Sequence, residues 1–265
     1  MRYRGGMMGT KKHLLPKALR FSAGTLTEQS TLALLRKHAR GKFAKSSTLR
    51  AAKRFIEERV AGDRADSDIL HHVGRVSLEE LVTGRRPRIG LLIVEGDLTV
   101  KGRYEDSLDP ESVVIVTGSL RARDVISTGF LEVHGDLVAS QSILFVDNDA
   151  CCEVFGDVRA PFVYTNYHAV KVHGAVKARL VTGDAKHIRS TQPHAFIEET
   201  DPRVRDALSP RLLKVFADEV FEDEEGEEAD AEAPWIDAID VEKLTAFVRR
   251  GHPALAQPAP RRRKK

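Results

Sequence analysis

A short motif, Val-x-Gly followed two positions later by an apolar residue, recurs five times between residues 89 and 197. Its glycines are Gly96, Gly118, Gly135, Gly156 and Gly174, which are 22, 17, 21 and 18 residues apart. A repeat of about twenty residues that carries one short strand motif is typical of a solenoid, in which each turn buries its apolar row against the next. This periodicity constrains the fold more than any other feature of the chain.

Each motif separates into two faces when it is interpreted as a strand, because side chains alternate along a strand. The positions two before the glycine and two and four after it are apolar in every copy: Val94, Leu98, Val100; Val116, Leu120, Ala122; Val133, Leu137, Ala139; Val154, Val158, Ala160; Val172, Val176, Ala178. The glycine shares this inward face, where a missing Cβ allows a tight bend or a close approach of neighbouring turns. The opposite face is mostly polar, so we expect it to contact water.

A second apolar patch follows each motif, for example at 143–146 and 162–164. Two short strands per repeat predict a mainly β protein: a single-chain β-helix (solenoid) of five to six turns, with two or three sides. At ~4.8 Å per stacked strand, such a rod is roughly 25 Å long. A sandwich of hairpins is the competing interpretation, but the Asn-Gly and Asp-Gly turns that favour hairpins are missing.

The run of Val-x-Gly-Asp-Leu motifs over residues 89–183 resembles the bactofilin-like group of bacterial β-helix proteins. Those proteins polymerise end to end as cytoskeletal filaments. The resemblance therefore implies a β-helix and, as a function, structural self-assembly.

Helix signals flank the repeats on both sides. They predict helices at 31–40, at 48–61 ending at Gly62, at 77–83 from the capping box Ser77-Leu78-Glu79-Glu80, after Asp201-Pro202 and Ser209-Pro210, and at 235–250 ending at Gly251. A β-helix has exposed ladder ends that invite pairing with other chains. We therefore expect these helices to cap both ends, which opposes filament growth.

The resulting domain organisation has six parts. They are a basic N-terminal helical segment and cap (1–87), the β-helix (88–200), a helical C-terminal cap (201–221), an acidic linker (222–233), an amphipathic docking helix (234–251) and a disordered basic tail (252–265).

The net charge of +3 conceals a strong asymmetry along the chain. Residues 1–64 contain sixteen Lys or Arg and four Asp or Glu, whereas residues 218–232 contain ten acidic residues and no basic one. The basic segment is either a solvated helical cap or an arm that contacts nucleic acid or an acidic partner. The acidic block is either a solvated linker or a segment that occupies a basic surface.

Cysteine usage and hydropathy suggest a location. The two cysteines, Cys151 and Cys152, are adjacent and cannot form an ordinary structural disulfide, which favours a reducing compartment. The chain has no apolar run near the ~20 residues of a membrane span and no signal-peptide core at its start. We expect a cytoplasmic bacterial protein that does not enter a membrane, and the oligomeric state stays open.

The most site-like surface is a ridge formed by polar clusters at similar places in consecutive turns. Its members are Asp147, Asn148, Asp149, Tyr164, Asn166, Tyr167 and His168, and the acidic residues Glu222, Asp223, Glu224 and Glu225 are further candidates for partner binding. Tyr and Asn suit protein interfaces. The alternative is that Asn and Asp only form the corners of the coil.

Metal and catalytic sites have weaker sequence support. His134 and His173 lie two turns apart, ~9.6 Å by strand spacing, which is too far for one zinc ion. The outward row of Asp97, Asp136 and Asp157 is explained by charge pairing with Arg121 and Arg159. Cys151 and Cys152 lack a C-x-x-C motif and are expected to be small core residues. We expect no catalytic residues, no metal and no cofactor.

The sequence therefore favours a non-catalytic β-helix scaffold that binds another protein in the cytoplasm. One version is an immunity-type protein that neutralises a toxin with a basic face, because a rigid scaffold is combined with an acidic block. The first alternative is a bactofilin-like protein that self-assembles. The second is a carbohydrate-acting enzyme built on a β-helix.

Overall fold

The computed structural model describes residues 27–64, 67–84, 88–147, 149–217 and 239–256. These residues form a mainly β protein, a parallel β-solenoid of about 6 turns with a few short helices outside it. The predicted fold class is therefore confirmed.

The strands are β1 (Asp68–Val73), β2 (Val76–Leu78), β3 (Leu81–Val82), β4 (Ile89–Glu95), β5 (Leu98–Glu105), β6 (Val113–Val116), β7 (Leu120–Ser127), β8 (Phe130–Val133), β9 (Leu137–Val146), β10 (Cys151–Val154), β11 (Val158–Asn166), β12 (Ala169–Val172), β13 (Val176–Gly183) and β14 (Ile188–Ser190). The helices are α1 (Glu28–His38), α2 (Ser47–Ala61), α3 (Pro202–Ala207), α4 (Pro210–Ala217) and α5 (Val241–Arg249), with short 3-10 turns at Gly41–Lys45 and Ala185–His187.

Every turn contributes one strand to each of two parallel sheets. Sheet 1 has the order β1-β4-β6-β8-β10-β12-β14, and sheet 2 has the order β2-β5-β7-β9-β11-β13, with β3 also paired to β5. The ladders of sheet 2 shift register in the middle of the long strands, for example between Val100 and Arg103. Such irregularities bend a strand, so each turn contains three short straight segments.

The inward rows predicted from the period of two are confirmed. Val94, Leu98 and Val100 are at most 1 % exposed, and their counterparts in the later turns belong to the same buried cluster. Only Ala178, in the last copy, is partly buried. Burial of these stacked rows is the main apolar contribution to the stability of the solenoid.

The repeated glycines stand at the corner where the chain passes from sheet 1 to sheet 2, and not in the inward row as predicted. From Gly118 onwards, the backbone N–H of each repeated glycine donates to the carbonyl of the glycine one turn earlier, at 2.9 Å for Gly118 to Gly96 and 3.0 Å for Gly156 to Gly135. A Cβ built on Gly156 would lie 2.5 Å from the carbonyl oxygen of Gly135. The predicted close approach of neighbouring turns is thus confirmed.

In the first four copies, the side chain of the residue after the glycine stabilises the same corner. The Oδ1 atom of Asp97 accepts from the N–H of Ser119, that of Asp136 from Asp157, and that of Asp157 from Ala175, each at 2.9 Å; the Ser119 hydroxyl accepts from the N–H of Asp136 at 3.1 Å. We call Asp97, Ser119, Asp136 and Asp157 the corner ladder. Each member connects its own turn to the next one.

The prediction that the outward face is wet holds next to the glycines, where most of the predicted residues, such as Glu95, Asp136 and Arg121, are half-buried or exposed. It is wrong for the rest of that face, which the helices cover. In sheet 1, outward residues such as Ile93 and Ile115 are buried with Phe55 and Ile56 of α2. In sheet 2, Leu144 and its outward neighbours are buried under α3, α4 and α5. Parallel sheets are usually covered on both faces. Solvent reaches mainly the first segment of sheet 2, where Arg121, Arg159 and Lys177 are exposed.

The predicted end caps are also wrong, because the helices pack on the faces of the sheets and not across the ladder ends. The predicted helix at 77–83 is absent, since Val76–Leu78 and Leu81–Val82 are strands paired to β5. Alternate side chains here, Val76 and Leu78, enter the core, and this burial outweighs a local capping motif. The solenoid consequently begins at Asp68 and not at residue 88.

The remaining helix predictions are confirmed in their main features. Helix α2 ends at Gly62 with a φ of +97°, and α3 and α4 begin at Pro202 and Pro210 as expected. Helix α5 does dock on the solenoid through Leu244, Phe247 and Val248.

Helix α5 nevertheless begins later than predicted. Asp240 is its N-cap and accepts from the N–H of Lys243 at 2.9 Å; the predicted start at Trp235 and the acidic linker 222–233 lie outside the described residues. Residues 252–256, predicted as disordered tail, pack on the protein. Leu255 is 6 % exposed, and Ala256 donates to the carbonyl of Ala207 at 3.0 Å.

Charged side chains, of which Arg103 and Glu105 are buried, hold the end of α5 on sheet 2. The Arg103 guanidinium donates to the carbonyl of Arg249 at 2.9 Å, and Arg249 pairs with Glu105 at 2.8 Å. A cation at the last carbonyls of a helix complements its dipole. Arg103 also pairs with Glu105 at 3.0 Å, so these groups form a closed network.

Replacing Gly156 with alanine should strongly destabilise the protein, because the new Cβ meets the backbone of Gly135 and cannot rotate away. We expect a loss of about 3 kcal/mol in the free energy of unfolding, measured by urea denaturation. The matched control is Gly62→Ala, where a Cβ meets nothing within 4 Å and the positive φ alone costs about 1 kcal/mol. Equal losses in the two variants would contradict the proposed backbone contact.

Candidate functional site

A groove of about 580 Å³ lies on the surface where the last turns of the solenoid meet the segment after β14. We call it the terminal groove, and its lining includes Tyr164, Asn166, Tyr167, Asp184, Lys186, Glu198 and Glu199. Strand β11 and the residue after it supply one wall, the residues after β13 supply the second, and residues 196–200 supply the third. These three segments, with Ile239 from a fourth, build one concave surface.

Tyr167 is the exposed aromatic residue of this groove. Its side chain is 58 % exposed, and its ring lies 5.9 Å from that of His187 in an edge-on arrangement. The backbone of Tyr167 has a φ of +57°, a conformation that residues other than glycine rarely adopt. Such conformations persist only where the surrounding structure imposes them. The solenoid corner therefore holds this ring at the surface.

Glu199 joins the floor of the groove to the C-terminal segment. Its carboxylate accepts from the backbone N–H of Ile239 at 3.0 Å. It also lies beside the hydroxyl of Tyr164; burial, with the Glu199 charge, raises the pKa of Tyr164 above its ordinary value. Tyr164 itself is fully buried under the C-terminal helices, so it supports the groove from below.

The predicted ridge is brought together only in part. Asn166 and Tyr167 line the terminal groove, and Asp147 and Asp149 are exposed at the preceding corner. Tyr164 is buried, as described. Asn148, Glu222, Asp223, Glu224 and Glu225 lie outside the described residues.

His168 does not lie on the ridge, because its ring points into the interior. It is 0 % exposed, stacks on Phe145 with ring centroids 6.1 Å apart, and contacts the carbonyl of Asp147 through Nδ1 at 3.2 Å. Burial lowers the pKa of His168 to about 4. The imidazole is therefore a neutral core group at ordinary pH.

Sequence reasoning missed Asp184, Lys186, Glu198 and Glu199. These residues follow the last repeat, where no periodicity indicates which side chains meet. Phe196 packs against the core, and Ile197 donates to the carbonyl of Val181 at 3.0 Å. This contact draws residues 191–200 across the C-terminal end of the solenoid and places Glu198 beside the groove.

The histidines of sheet 1 are paired with glutamates. His134 Nε2 lies 2.6 Å from Glu132, and His173 Nε2 lies 2.9 Å from Glu153. Across the described ranges, no cluster of three or more His, Cys, Asp or Glu could hold a metal ion. Cys152 is a core residue as predicted, and burial raises the pKa of its thiol and that of Cys151.

A buried carboxyl group, Asp106, lies inside the solenoid near a corner. It accepts from the Tyr104 hydroxyl at 2.9 Å and from the backbone N–H groups of Thr128 and Gly129 at 2.8 and 2.6 Å, while Ser127 donates its hydroxyl as well. Burial raises the pKa of Asp106 to about 6. Its acceptor sites are occupied internally, which indicates a structural role.

The predicted charge pairing of the outward aspartates is confirmed for Arg159. Its guanidinium lies 2.8 Å from Asp157 and 3.4 Å from Asp136, and Lys177 adds a contact of 2.7 Å to Asp157. The corner ladder shows a second role for the same carboxylates, as acceptors for the next turn.

Comparison of the chain with protein-family models, with curated proteins and with solved structures found no match. None of the helices in the described residues has the length and apolar character to cross a membrane. What the chain does has to be inferred from its own geometry.

The stability of the protein should depend on pH through His168. Because its folded pKa of about 4 lies below the ordinary 6.5, its contribution is present above pH 6.5 and is lost as the pH falls towards 4. Between pH 7 and 4, the wild type should lose about 3 kcal/mol more than His168→Gln. Urea denaturation across this pH range measures the difference.

Asp106→Asn is a control in which the pH dependence of stability should change in the opposite direction. The pKa of Asp106 in the folded wild type is raised to about 6. Asp106 therefore contributes stability at low pH that is lost as the pH rises through 6. Removing this contribution should make the loss on acidification steeper than in the wild type. Parallel curves for all three proteins would contradict both assignments.

Proposed function

We propose that this protein is a non-catalytic scaffold that binds another protein, with the terminal groove as the contact surface. The observation that carries the proposal is the exposed ring of Tyr167 beside the carboxylates of Asp184, Glu198 and Glu199 in a groove of about 580 Å³. Tyrosine supplies a large and rather rigid contact area at little cost in conformational entropy, and it is enriched in protein interfaces.

The charge of the groove favours a partner with a basic surface. Three carboxylates line it against one lysine, Lys186, which lies 3.3 Å from Asp184. A Lys or Arg side chain of the partner would find Glu198 exposed at the rim. Complementary charges of this kind direct association and suppress wrong partners.

An immunity-type protein that neutralises a toxin with a basic active-site face is a concrete version of this function. The acidic sequence 218–232 supports it, since its ten carboxylates, which precede the groove residue Ile239 in the chain, would extend the attraction over a longer range. The reduced cysteines Cys151 and Cys152 fit the cytoplasm as the place of action.

Rigidity supports a binding role as well. The corner ladder and the glycine contacts fix neighbouring turns to one another, and the backbone of Tyr167 is held in a rare conformation. A surface that is already ordered loses little entropy when it binds.

The two alternatives have less support. Phe196 and Ile197 cover the C-terminal end of the solenoid, which a filament would need for growth. The carboxylates that a carbohydrate-acting enzyme would use, such as Asp136 and Asp157, accept backbone N–H groups from the next turn.

Photo-crosslinking tests the proposed contact directly. With p-benzoylphenylalanine in place of Tyr167, the protein in its own cells should form a covalent adduct with one defined protein. The control carries the crosslinker at Val73, which is 65 % exposed in the first turn. Equal adducts at both positions, or none at Tyr167, would contradict the proposal.

Binding of the purified partner provides the quantitative test. Tyr167→Ala should raise the Kd by about 30-fold, because central aromatic contacts contribute roughly 2 kcal/mol. Glu198→Lys should slow association and reverse its salt dependence, whereas Val73→Ala should change neither quantity.

The oligomeric state separates binding from self-assembly. Size-exclusion chromatography with light scattering should show a monomer or a small oligomer, because the C-terminal ladder end is covered. Long assemblies that grow with concentration would favour the filament.

A further inference from the structure

A second concave surface lies on the sheet 1 side of the molecule, at its C-terminal end. It is a pocket of about 300 Å³ between the 3-10 turn before α2 and the strands β10, β12 and β14. We call it the basic pocket, and Lys45, Cys151, Glu153, Lys171, Lys186 and Arg189 line it. It shares Lys186 with the terminal groove, and the contact surface proposed above uses none of its other lining residues.

The balance of charge in the pocket is strongly positive. Four cations from four separate elements face one carboxylate, Glu153, and that carboxylate already lies 2.9 Å from both Lys171 and His173. Lys186 lies 3.3 Å from Asp184. Within the described part of the chain, Lys45 and Arg189 have no carboxylate partner, although both are exposed and free to turn towards the pocket.

Strand register places the excess charge in one row. Lys171 lies directly opposite Glu153 in the neighbouring strand, and Arg189 lies directly opposite Lys171. Neighbouring strands are ~4.8 Å apart, and like charges directly opposite each other are destabilising. Glu153 balances Lys171, so the positive charge of Arg189 is left unbalanced at the edge of the sheet. An anion held between Arg189 and Lys45 would remove this repulsion.

We propose that the basic pocket binds the phosphate group of a small phosphorylated molecule. The planar guanidinium of Arg189 can donate two parallel hydrogen bonds to phosphate oxygens, and the lysine ammonium groups add point charges. A volume of about 300 Å³ is at the lower limit of ligand pockets. It admits a phosphate with a small organic group. The walls come from the start of α2 and from three strands, so the pocket is preformed.

The first experiment is a calorimetric titration of the full chain with inorganic phosphate and with glycerol 3-phosphate at constant ionic strength. Saturable binding of one molecule per chain is expected, tighter for the ester, which also fills the space beside the phosphate. Arg189→Gln and Lys45→Gln should each weaken binding by roughly tenfold, and Arg189→Lys should recover part of the loss. These two positions are chosen because they do not line the terminal groove.

The matched control is Lys101→Gln, an exposed lysine of the same charge that pairs with Glu79 at 2.6 Å in the first turns. It should bind phosphate as the wild type does. Acetate serves as a carboxylate probe. It should bind at least roughly tenfold more weakly than phosphate, because a carboxylate cannot contact three cations at once. The proposal is overturned by non-saturable binding, by an equal loss in Lys101→Gln, or by acetate binding as tightly as phosphate.

Cys151 offers an independent readout. Both cysteines lie against the basic pocket, but Cys151 is partly exposed, whereas Cys152 is 1 % exposed and belongs to the core. Bound phosphate ester should slow alkylation of Cys151 in the wild type and have no effect in Arg189→Gln. Cys152 serves as the internal reference that reports unfolding. Unchanged alkylation of Cys151 at saturating ester would place the ligand elsewhere and overturn the proposal.

Discussion

The close contact between glycine backbones at one corner of the coil determines the rest of this structure. From Gly118 onwards, each repeated glycine donates its N–H to the carbonyl of the glycine one turn earlier, at 2.8 to 3.0 Å, and a side chain would not fit there. The neighbouring carboxylate accepts the next N–H of the following turn. Because this corner fixes how the turns stack, it aligns the apolar rows inside and the polar rows outside.

Both candidate surfaces lie where the helical cover of the solenoid ends. Helix α2 packs on β4, β6, β8 and β10, and the basic pocket opens beside it, at β12 and β14. On the other side, the terminal groove lies at the margin of the C-terminal helices, with Ile239 in its lining. The covered strands provide stability, whereas the uncovered last turns leave charged and aromatic side chains accessible.

The sequence was most informative where a physical period exists. Alternation predicted the inward positions of Val94 and Leu98, but a four-residue capping box suggested a helix where Val76 and Leu78 continue the strand pattern. The runs 91–94 and 113–116 are apolar throughout, which indicates that both faces of these strands are buried. The sequence prediction missed this signal because it considered only the face that carries the repeated motif. Sequence could not show that His168 faces inward or that Glu198 reaches the groove, since both depend on contacts distant in the chain.

The corner ladder ends at Ala175. Three of the four earlier corners carry an aspartate and one a serine, whereas this corner has only a methyl group to offer the next N–H. Beyond it, the Thr191 hydroxyl donates to the carbonyl of His173, and the chain leaves the coil. The residue after the glycine therefore marks where the coil ends. A unit with a hydrogen-bond acceptor after its glycine can support a further turn, whether that acceptor is a carboxylate or the Ser119 hydroxyl, and the unit of Ala175 cannot do so through this contact.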